Sequence, residues 1–91
     1  MFYIVSYDIP DDKRRTKLAK ILKDYGDRVQ ESVFECILDK NLLDKMTKKI
    51  DKVINQKEDS VRIYTLCANC EKNIRIMGIG KVTHDEEVYI I

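Results

Sequence analysis

The sequence predicts an α+β domain of the ferredoxin-like type, in which an antiparallel sheet carries two helices on one face. Patterns typical of strands and helices follow one another in the order βαββαβ, which is the order of that sandwich. The 91 residues suit one domain, and three Gly and one Pro leave little room for a linker. We therefore expect a ferredoxin-like domain over residues 1–78 and, within the same domain, a C-terminal tail over residues 79–91.

The chain opens on an apolar strand that ends at an acid, Asp8. Residues 2–8 carry apolar side chains on both alternating faces, which predicts a central strand covered on both sides. Asp11 or Asp12 predicts the N-cap of the helix that follows, and Gly26 predicts its C-terminal stop. The core-facing residues of this helix recur at helical spacing and are Leu18, Ile21, Leu22 and Tyr25.

The middle of the chain predicts two short strands and a second helix. Residues 28–38 are extended by composition, but neither alternating face is cleanly apolar. A reversal near Gln30–Ser32 explains this pattern, because it divides the segment into two strands. Asp39 or Asn41 predicts the N-cap of a helix that runs from Leu42 to about Gln56.

The last part of the chain predicts a strand over Ser60–Cys67 and an apolar, strand-like tail at Val88–Ile91. A terminal strand of this kind has an unpaired edge, and the sheet of a second copy of the chain is a plausible partner for it. Pairing with a second copy is thus one way in which this edge could be covered.

The formal net charge of +1 conceals an uneven distribution of charge. Between Lys13 and Arg28 seven cations are opposed only by Asp24 and Asp27, and Asp85–Glu87 form an acidic segment near the end. Cations grouped on one surface can bind nucleic acid even when the whole protein is nearly neutral. A solvated helix face is the commoner cause of such a charge run, and the charges alone leave both interpretations open.

Cysteine usage and the start of the chain indicate a cytoplasmic protein. No signal-peptide pattern precedes the first strand, and no apolar run approaches the length of a membrane span. Three cysteines are an odd number, so we expect reduced thiols and no disulfide framework. Cys67-x-x-Cys70 is half of a zinc site; a metal shared across a dimer is one interpretation, and two reduced thiols in a turn is the favoured one. We expect His84 to be a surface residue.

Asp8 is the first candidate for chemistry, because a carboxylate at the end of a buried strand suits a divalent metal. Mg²⁺ takes few protein carboxylates and completes its shell with water and phosphate oxygens. One carboxylate per chain makes a poor site, but two copies of Asp8 near a two-fold axis would share the ion. From Asp8 alone the favoured interpretation is a structural role, in which Asp8 accepts backbone N–H groups at the turn.

The second group of candidates would contact phosphates and bases. The cations suited to phosphate are Arg14, Arg15, Lys17 and Arg28. Tyr7 and Phe34 offer aromatic faces on which a base could stack, although both also suit the protein core. A basic helix start beside a strand-end carboxylate therefore predicts a site for metal and phosphate together.

Two stretches of the sequence resemble a known family. Residues 7–26 follow the pattern Y-D-I-x-D-D-x-R-R-x-K-L-x-K-x-L-K-x-Y-G, and residues 28–35 follow R-V-Q-x-S-V-F-E. This combination resembles the small universal CRISPR-associated adaptation protein, the partner of the CRISPR integrase. The resemblance continues through residues 61–70 and so covers most of the chain.

The resemblance implies a ferredoxin-like homodimer whose C-terminal strand joins the sheet of the partner. It implies that Asp8 binds Mg²⁺, with Mn²⁺ as a substitute, and supports hydrolysis of phosphodiesters in single-stranded RNA or double-stranded DNA. It also implies a complex with the integrase that acquires new spacers in antiviral defence. The supporting site residues that it implies are Tyr7, Arg15, Arg28, Ser32 and Phe34.

Two other functions fit the same sequence. The protein could be a non-catalytic subunit that bridges DNA within the integrase complex. In that case Asp8→Ala should still support spacer acquisition, whereas reversal of the charges of the basic helix should abolish it. The protein could also be a toxin ribonuclease of the virulence-associated D type, which has the same fold and no integrase partner.

Overall fold

The structure, a computed structural model, describes residues 1–84 of the chain. In chain order its elements are β1 (Phe2–Asp8), α1 (Asp12–Lys23), β2 (Asp27–Gln30), β3 (Val33–Ile37), α2 (Lys40–Val53), β4 (Ser60–Leu66) and α3 (Ala68–Lys72). The predicted order βαββαβ is confirmed, and α3 adds a short helix after the last strand of that order.

β1 lies inside the sheet, whose strand order is β2-β3-β1-β4. It pairs antiparallel with β3 on one side and with β4 on the other, so it is central as predicted. The predicted reversal is also confirmed, because β2 and β3 form a hairpin around Glu31–Ser32, with a register irregularity between Arg28 and Gln30. The fold is therefore the expected ferredoxin-like sandwich.

The helices cover one face of the sheet and enclose the core. From β1 the side chains of Tyr3, Val5 and Tyr7 belong to this core. The buried residues that the helices contribute are Leu18, Ala19, Leu22, Met46 and Ile50. The predicted core stripe of α1 is thus confirmed for its two leucines, and its other two members are half-buried.

The second face of the sheet, which we call the open face, carries the alternate residues of β1, namely Phe2, Ile4, Ser6 and Asp8. Along this row the side chains change from buried at Phe2 to exposed at Asp8. On β3 the Glu35 Oε1 atom accepts hydrogen bonds from the Thr83 amide at 3.3 Å and from the Thr83 Oγ1 at 2.8 Å. The segment after α3 therefore returns to the open face, and within residues 1–84 it covers that face only in part.

Both long helices begin at predicted caps, but α2 ends earlier than expected. The side chains of Asp11 and Asp39 each accept a hydrogen bond from a backbone N–H group of the first turn. α2 ends at Val53 because Ile54 has an extended backbone and a turn follows it. The predicted caps are thus confirmed, and the predicted extension to Gln56 is wrong.

Gly26 is required for close packing and not for a left-handed helix stop. α1 has already ended at Lys23, and Gly26 does not have a positive φ. A Cβ atom at this position would overlap the carbonyl oxygen of Glu35 and lie 2.5 Å from Cys36 Sγ. Glycine therefore lets the end of α1 approach β3 at a distance that no side chain permits.

The end of the chain differs from the prediction in one respect. Ser60–Leu66 forms the expected strand, but α3 begins at Ala68 with Cys67 as its N-cap, so the predicted turn at the two cysteines is wrong. The predicted strand at Val88–Ile91 lies outside the described residues, and the boundary at residue 78 stays a prediction. Within residues 1–84 no helix is both long and apolar enough to cross a membrane.

Candidate nucleic-acid interface

Asp8 lies at the carboxyl end of β1 with its side chain exposed. In the register of β1 and β4 it stands opposite Ser60. Within residues 1–84 its carboxylate accepts no hydrogen bond, so the structural role considered for it is not seen there. That role belongs to Asp11, whose carboxylate accepts the Arg14 amide at 2.9 Å. The sheet thus holds Asp8 in place while its oxygens remain open to a ligand.

Arg15 is anchored to the backbone that follows Asp8. Its Nη1 donates to the carbonyl oxygen of Ile9 at 2.8 Å, and its Nη2 donates to the carboxylate of Asp12. Ile9 is the next residue after Asp8 and is itself buried. The guanidinium group is therefore fixed to the turn at the end of β1.

The β2–β3 turn brings a second guanidinium group to the same end of the sheet. Arg28 donates to the Glu31 carbonyl oxygen from Nε at 2.9 Å and also from Nη2. Tyr7 ties this turn to β1, because its hydroxyl donates to the same oxygen at 3.3 Å and its amide donates to the Ser32 carbonyl oxygen at 3.1 Å. We call the resulting group the strand-end cluster; its members are Asp8, Arg15, Arg28, Glu31 and Ser32.

Tyr7 and Phe34, predicted to contact nucleic acid, are core residues. Their exposed fractions are 5% and 0%, and their ring centroids lie 6.4 Å apart with an interplanar angle of 27°. The Arg28 Cζ atom lies 5.8 Å from the centroid of the Phe34 ring. No base can reach either ring in this arrangement, so the stacking hypothesis is corrected. The two rings instead support Arg28 and the β2–β3 turn from the core side.

Arg14 points towards the same end of the sheet, but two carboxylates bind it. Its Nε donates to Asp59 Oδ2 at 2.8 Å, and its Nη2 donates to Glu58 Oε2 at 2.9 Å. The Asp59 side chain is screened from solvent and also accepts the Asn55 amide at 2.7 Å. The hydrogen bond from Arg14 lowers the pKa of Asp59, and the same bond raises the pKa of Arg14. Arg14 thus joins α1 to the start of β4, and a phosphate would compete with these acids for it.

Lys17 lies away from the strand-end cluster, in a groove of about 580 Å³ between α1 and α2. We call this the lysine groove, after its exposed cations Lys13, Lys17, Lys20 and Lys52. Within residues 1–84 no carboxylate forms an ion pair with these ammonium groups. The predicted cations are thus divided between the end of the sheet and the outer side of the helix layer.

Asp8 fits one ligand position of a Mg²⁺ ion, because an exposed carboxylate is an oxygen ligand of the kind this ion prefers. Within residues 1–84 no three side chains of His, Cys, Asp or Glu are grouped closely enough to hold a metal. The acids that follow in sequence are engaged, Asp11 as a helix cap and Asp12 with Arg15. A complete site would therefore need further ligands, from a second protomer or from the substrate.

The groups that hold the arginines were not predicted from the sequence. Asp59 is 45 residues from Arg14 in the chain. A signal was nevertheless present, because an acid directly before β4 must lie near Asp8 once β1 and β4 pair. No sequence signal could have identified the Glu31 carbonyl oxygen as the acceptor for Arg28, because every residue carries a backbone carbonyl oxygen.

Comparison with known proteins identifies the family. Residues 1–74 match the family model of the CRISPR associated protein Cas2. The chain belongs to the Cas2 family. A Cas2 relative from Chloroflexus aurantiacus, named CRISPR-associated endoribonuclease Cas2 1, is 46% identical over the full length of both chains. A relative from Thermus thermophilus, named CRISPR-associated endonuclease Cas2 2, is 43% identical over 98% of this chain and 94% of its own.

Solved Cas2 structures share the fold. The crystal structure of Streptococcus pyogenes Cas2 has a TM-score of 0.76 at 34% identity and covers 86% of this chain and 100% of its own. A chain in a structure described as a partial Cas6-RT-Cas1--Cas2 complex has a TM-score of 0.74 at 32% identity, with 84% of this chain and 83% of that chain covered. The family resemblance seen in the sequence is thus confirmed.

Proposed function

We propose that this Cas2-family protein is an endonuclease that hydrolyses phosphodiester bonds in single-stranded RNA or double-stranded DNA. The observation that carries the proposal is the strand-end cluster. There an exposed carboxylate without a partner in residues 1–84 shares one end of the sheet with guanidinium groups anchored on backbone carbonyls. The relatives named as an endoribonuclease and an endonuclease support the same reaction.

The proposed active unit is a homodimer, because each chain supplies one Asp8. The open face is covered only in part within residues 1–84, and on this face the edge strand β4 carries the exposed side chain of Tyr64, opposite Ile4. A second sheet against this face, with the C-terminal strand of each chain joined to the sheet of the other, would bury apolar surface. The same packing would bring the two Asp8 carboxylates towards one Mg²⁺ ion.

Each group of the cluster has a definite part in the proposed reaction. When bound by Asp8, Mg²⁺ supplies Lewis acidity towards phosphate oxygens, and Mn²⁺ can take its place. Arg28 uses Nε and Nη2 on the Glu31 carbonyl, which leaves Nη1 for the scissile phosphate. Arg15, oriented by Ile9 and Asp12, adds positive charge where negative charge develops in the transition state.

Cleavage of labelled single-stranded RNA and double-stranded DNA, with Mg²⁺, Mn²⁺ or a chelator, tests the proposal. Asp8→Asn preserves the size of the side chain and removes its charge, so we expect cleavage to fall by about a hundredfold or more. The matched control is Asp44→Asn, which removes an exposed carboxylate from α2 and should leave cleavage unchanged. Equal cleavage by Asp8→Asn and the wild type would refute the proposal.

Bridging of DNA without cleavage is the second candidate, and the lysine groove favours it. Exposed ammonium groups without carboxylate partners in residues 1–84 suit contact with a phosphate backbone. One structural neighbour comes from a complex that contains Cas1 and Cas2. We propose that the CRISPR integrase is the partner of this chain in such a complex. We also propose that the complex acts in the cytoplasm during spacer acquisition.

Binding of labelled double-stranded DNA, measured by fluorescence anisotropy, tests the second candidate. Lys17→Glu combined with Lys20→Glu should weaken binding by about tenfold or more, because each change replaces attraction by repulsion. Lys45→Glu combined with Lys48→Glu makes the same change in charge on exposed positions of α2 outside the groove. If both pairs weaken binding equally, the groove is not the binding site. Bridging is the function if cells that carry Asp8→Asn still acquire spacers, whereas cells that carry Lys17→Glu with Lys20→Glu do not.

A further inference from the structure

The pair Cys67 and Cys70 stands where β4 passes into the segment that returns to the open face. Cys67 is the N-cap of α3, and Cys70 is the third residue of that helix. The Glu71 amide donates to the Cys67 carbonyl oxygen at 2.9 Å and closes the turn between them. Both cysteines are exposed, so dissolved reagents can reach them.

The two thiols interact with each other, and they differ in acidity. Cys67 at the N-cap and Cys70 one helical turn later are three residues apart, a spacing that places both side chains on the same side of α3. Hydrogen bonds from Cys70 lower the pKa of Cys67, and the hydrogen bond to Cys67 raises the pKa of Cys70. Cys67 is thus the thiol that forms a thiolate more readily and attacks first, and Cys70 reacts second.

Cys36 provides a contrast within the same chain. Its side chain is fully buried beside Gly26, and burial raises the pKa of its thiol to about 11. A buried, protonated thiol is inert towards dissolved oxidants. Cys36 therefore serves as an internal reference for the exposed pair.

Metal binding explains the pair less well. Structural zinc sites are tetrahedral and closed by further sulfur or nitrogen ligands. Within residues 1–84 no third His, Cys, Asp or Glu joins Cys67 and Cys70 to form a metal-binding group. Two exposed thiols one helical turn apart are better placed to bond with each other.

We propose that Cys67 and Cys70 form a redox-active dithiol, which low-molecular-weight disulfides oxidise to an intramolecular disulfide. First the Cys67 thiolate attacks a disulfide R–S–S–R, forms a mixed disulfide and releases R–S⁻. The Cys70 sulfur then attacks Cys67 Sγ, forms the internal disulfide and releases the second R–S⁻. The protons of the two cysteine thiols end on the released thiolates, so two electrons pass from the protein to R–S–S–R.

The disulfide would link the N-cap of α3 to its first turn. This helix connects β4 to the segment in which Thr83 binds Glu35 on the open face. Oxidation would thus stiffen the point where that segment leaves the sheet. The dithiol contains no residue of the strand-end cluster. A negative result for the dithiol would therefore leave the proposed endonuclease activity untouched, and the reverse also holds.

A redox titration of the full-length protein tests the proposal. The protein is equilibrated with mixtures of reduced and oxidised glutathione, quenched with acid and unfolded, and each remaining thiol is labelled with a maleimide of high mass, while the intact mass distinguishes an internal disulfide from a glutathione adduct. We expect the wild type to lose two of its three thiols together. Cys36→Ala should lose both of its thiols in the same step, whereas Cys67→Ser and Cys70→Ser should form no internal disulfide.

Alkylation rates test the order of attack. In the reduced, folded wild type at neutral pH, Cys67 should react with iodoacetamide about tenfold faster than Cys70, as measured by peptide mass mapping after short exposures. Equal rates would overturn the assignment of Cys67 as the attacking residue. A wild-type protein that keeps all its thiols in excess oxidised glutathione, or that forms only glutathione adducts or disulfides between chains, would overturn the dithiol itself.

Discussion

The strand-end cluster and the lysine groove hold positive charge in different ways. In the cluster, Arg15 and Arg28 are bonded to backbone carbonyl oxygens at 2.8 and 2.9 Å. In the groove, the ammonium groups of lysines such as Lys17 and Lys20 have no carboxylate partner within residues 1–84. One region therefore presents oriented cations, and the other presents mobile ones.

This difference indicates what each region can bind. An anchored guanidinium group offers N–H donors in a fixed direction, which suits one phosphate at a defined position. An ammonium group on a flexible stem raises the local potential without selecting a geometry, which suits a length of nucleic-acid backbone. We therefore assign cleavage to the cluster and general affinity to the groove.

Replacing Arg28 should give the largest effect that separates the two regions. Arg28→Lys replaces the rigid guanidinium fork, which grips the Glu31 carbonyl from Nε and Nη2, by one ammonium nitrogen that fixes no direction for a phosphate. We therefore expect cleavage at saturating RNA to fall by about thirtyfold. DNA binding should change little. The control Lys17→Arg exchanges the same two side-chain types in the groove and should cut like the wild type. An unchanged cleavage rate in Arg28→Lys would show that this residue only braces the turn.

Arg14 tests a third case, a cation held by carboxylates. Arg14→Met retains the apolar stem and leaves the screened Asp59 side chain without its cation, so urea denaturation should show a clear loss in the free energy of unfolding. Lys17→Met removes a cation that has no carboxylate partner in residues 1–84 and should cost much less. Equal losses would mean that the Arg14–Asp59 pair contributes nothing measurable.

The same pair should make stability depend on pH. Arg14 lowers the pKa of Asp59 from its usual value of 3.8, so the stabilisation is present above that value and is lost as the pH falls through the folded-state pKa. The difference in unfolding free energy between wild type and Arg14→Met should stay constant at neutral and mildly acidic pH and shrink below about pH 4. Urea titrations across this range measure it, and a difference that grows with acid would contradict the assignment.

Lys17→Ala should give the smallest effect. The loss of one phosphate contact should weaken DNA binding by a few-fold and make the slope of log K against log salt shallower by about one. Cleavage of a saturating substrate should not change, because Lys17 lies outside the strand-end cluster. Anisotropy titrations at several salt concentrations measure the slope. A large loss of cleavage in Lys17→Ala would contradict the assignment of cleavage to the strand-end cluster alone.

The sequence alone determined the secondary structure and the position of Asp8, because the signals for both are local. Alternation of apolar residues marked β1, helical spacing marked α1, and Asp11 and Asp39 marked the caps. Each of these signals acts within a few residues of the structure that it predicts. The sequence motifs at residues 7–26 and 28–35 likewise sufficed for the family.

The use of the predicted site residues depends on contacts between segments that are distant in the chain. Arg14 binds an acid 45 residues away, Phe34 is buried, and Lys17 lies on the outer side of the helices. The role of Gly26 also depends on how closely β3 approaches. Burial and ion pairing depend on which groups pack opposite a residue, and that information is distributed along the chain. The cations of one basic run in the sequence are therefore divided between the strand-end cluster and the lysine groove. The fold places carbonyl oxygens or carboxylates beside the arginines, whereas the lysines of the groove have no carboxylate partner within residues 1–84.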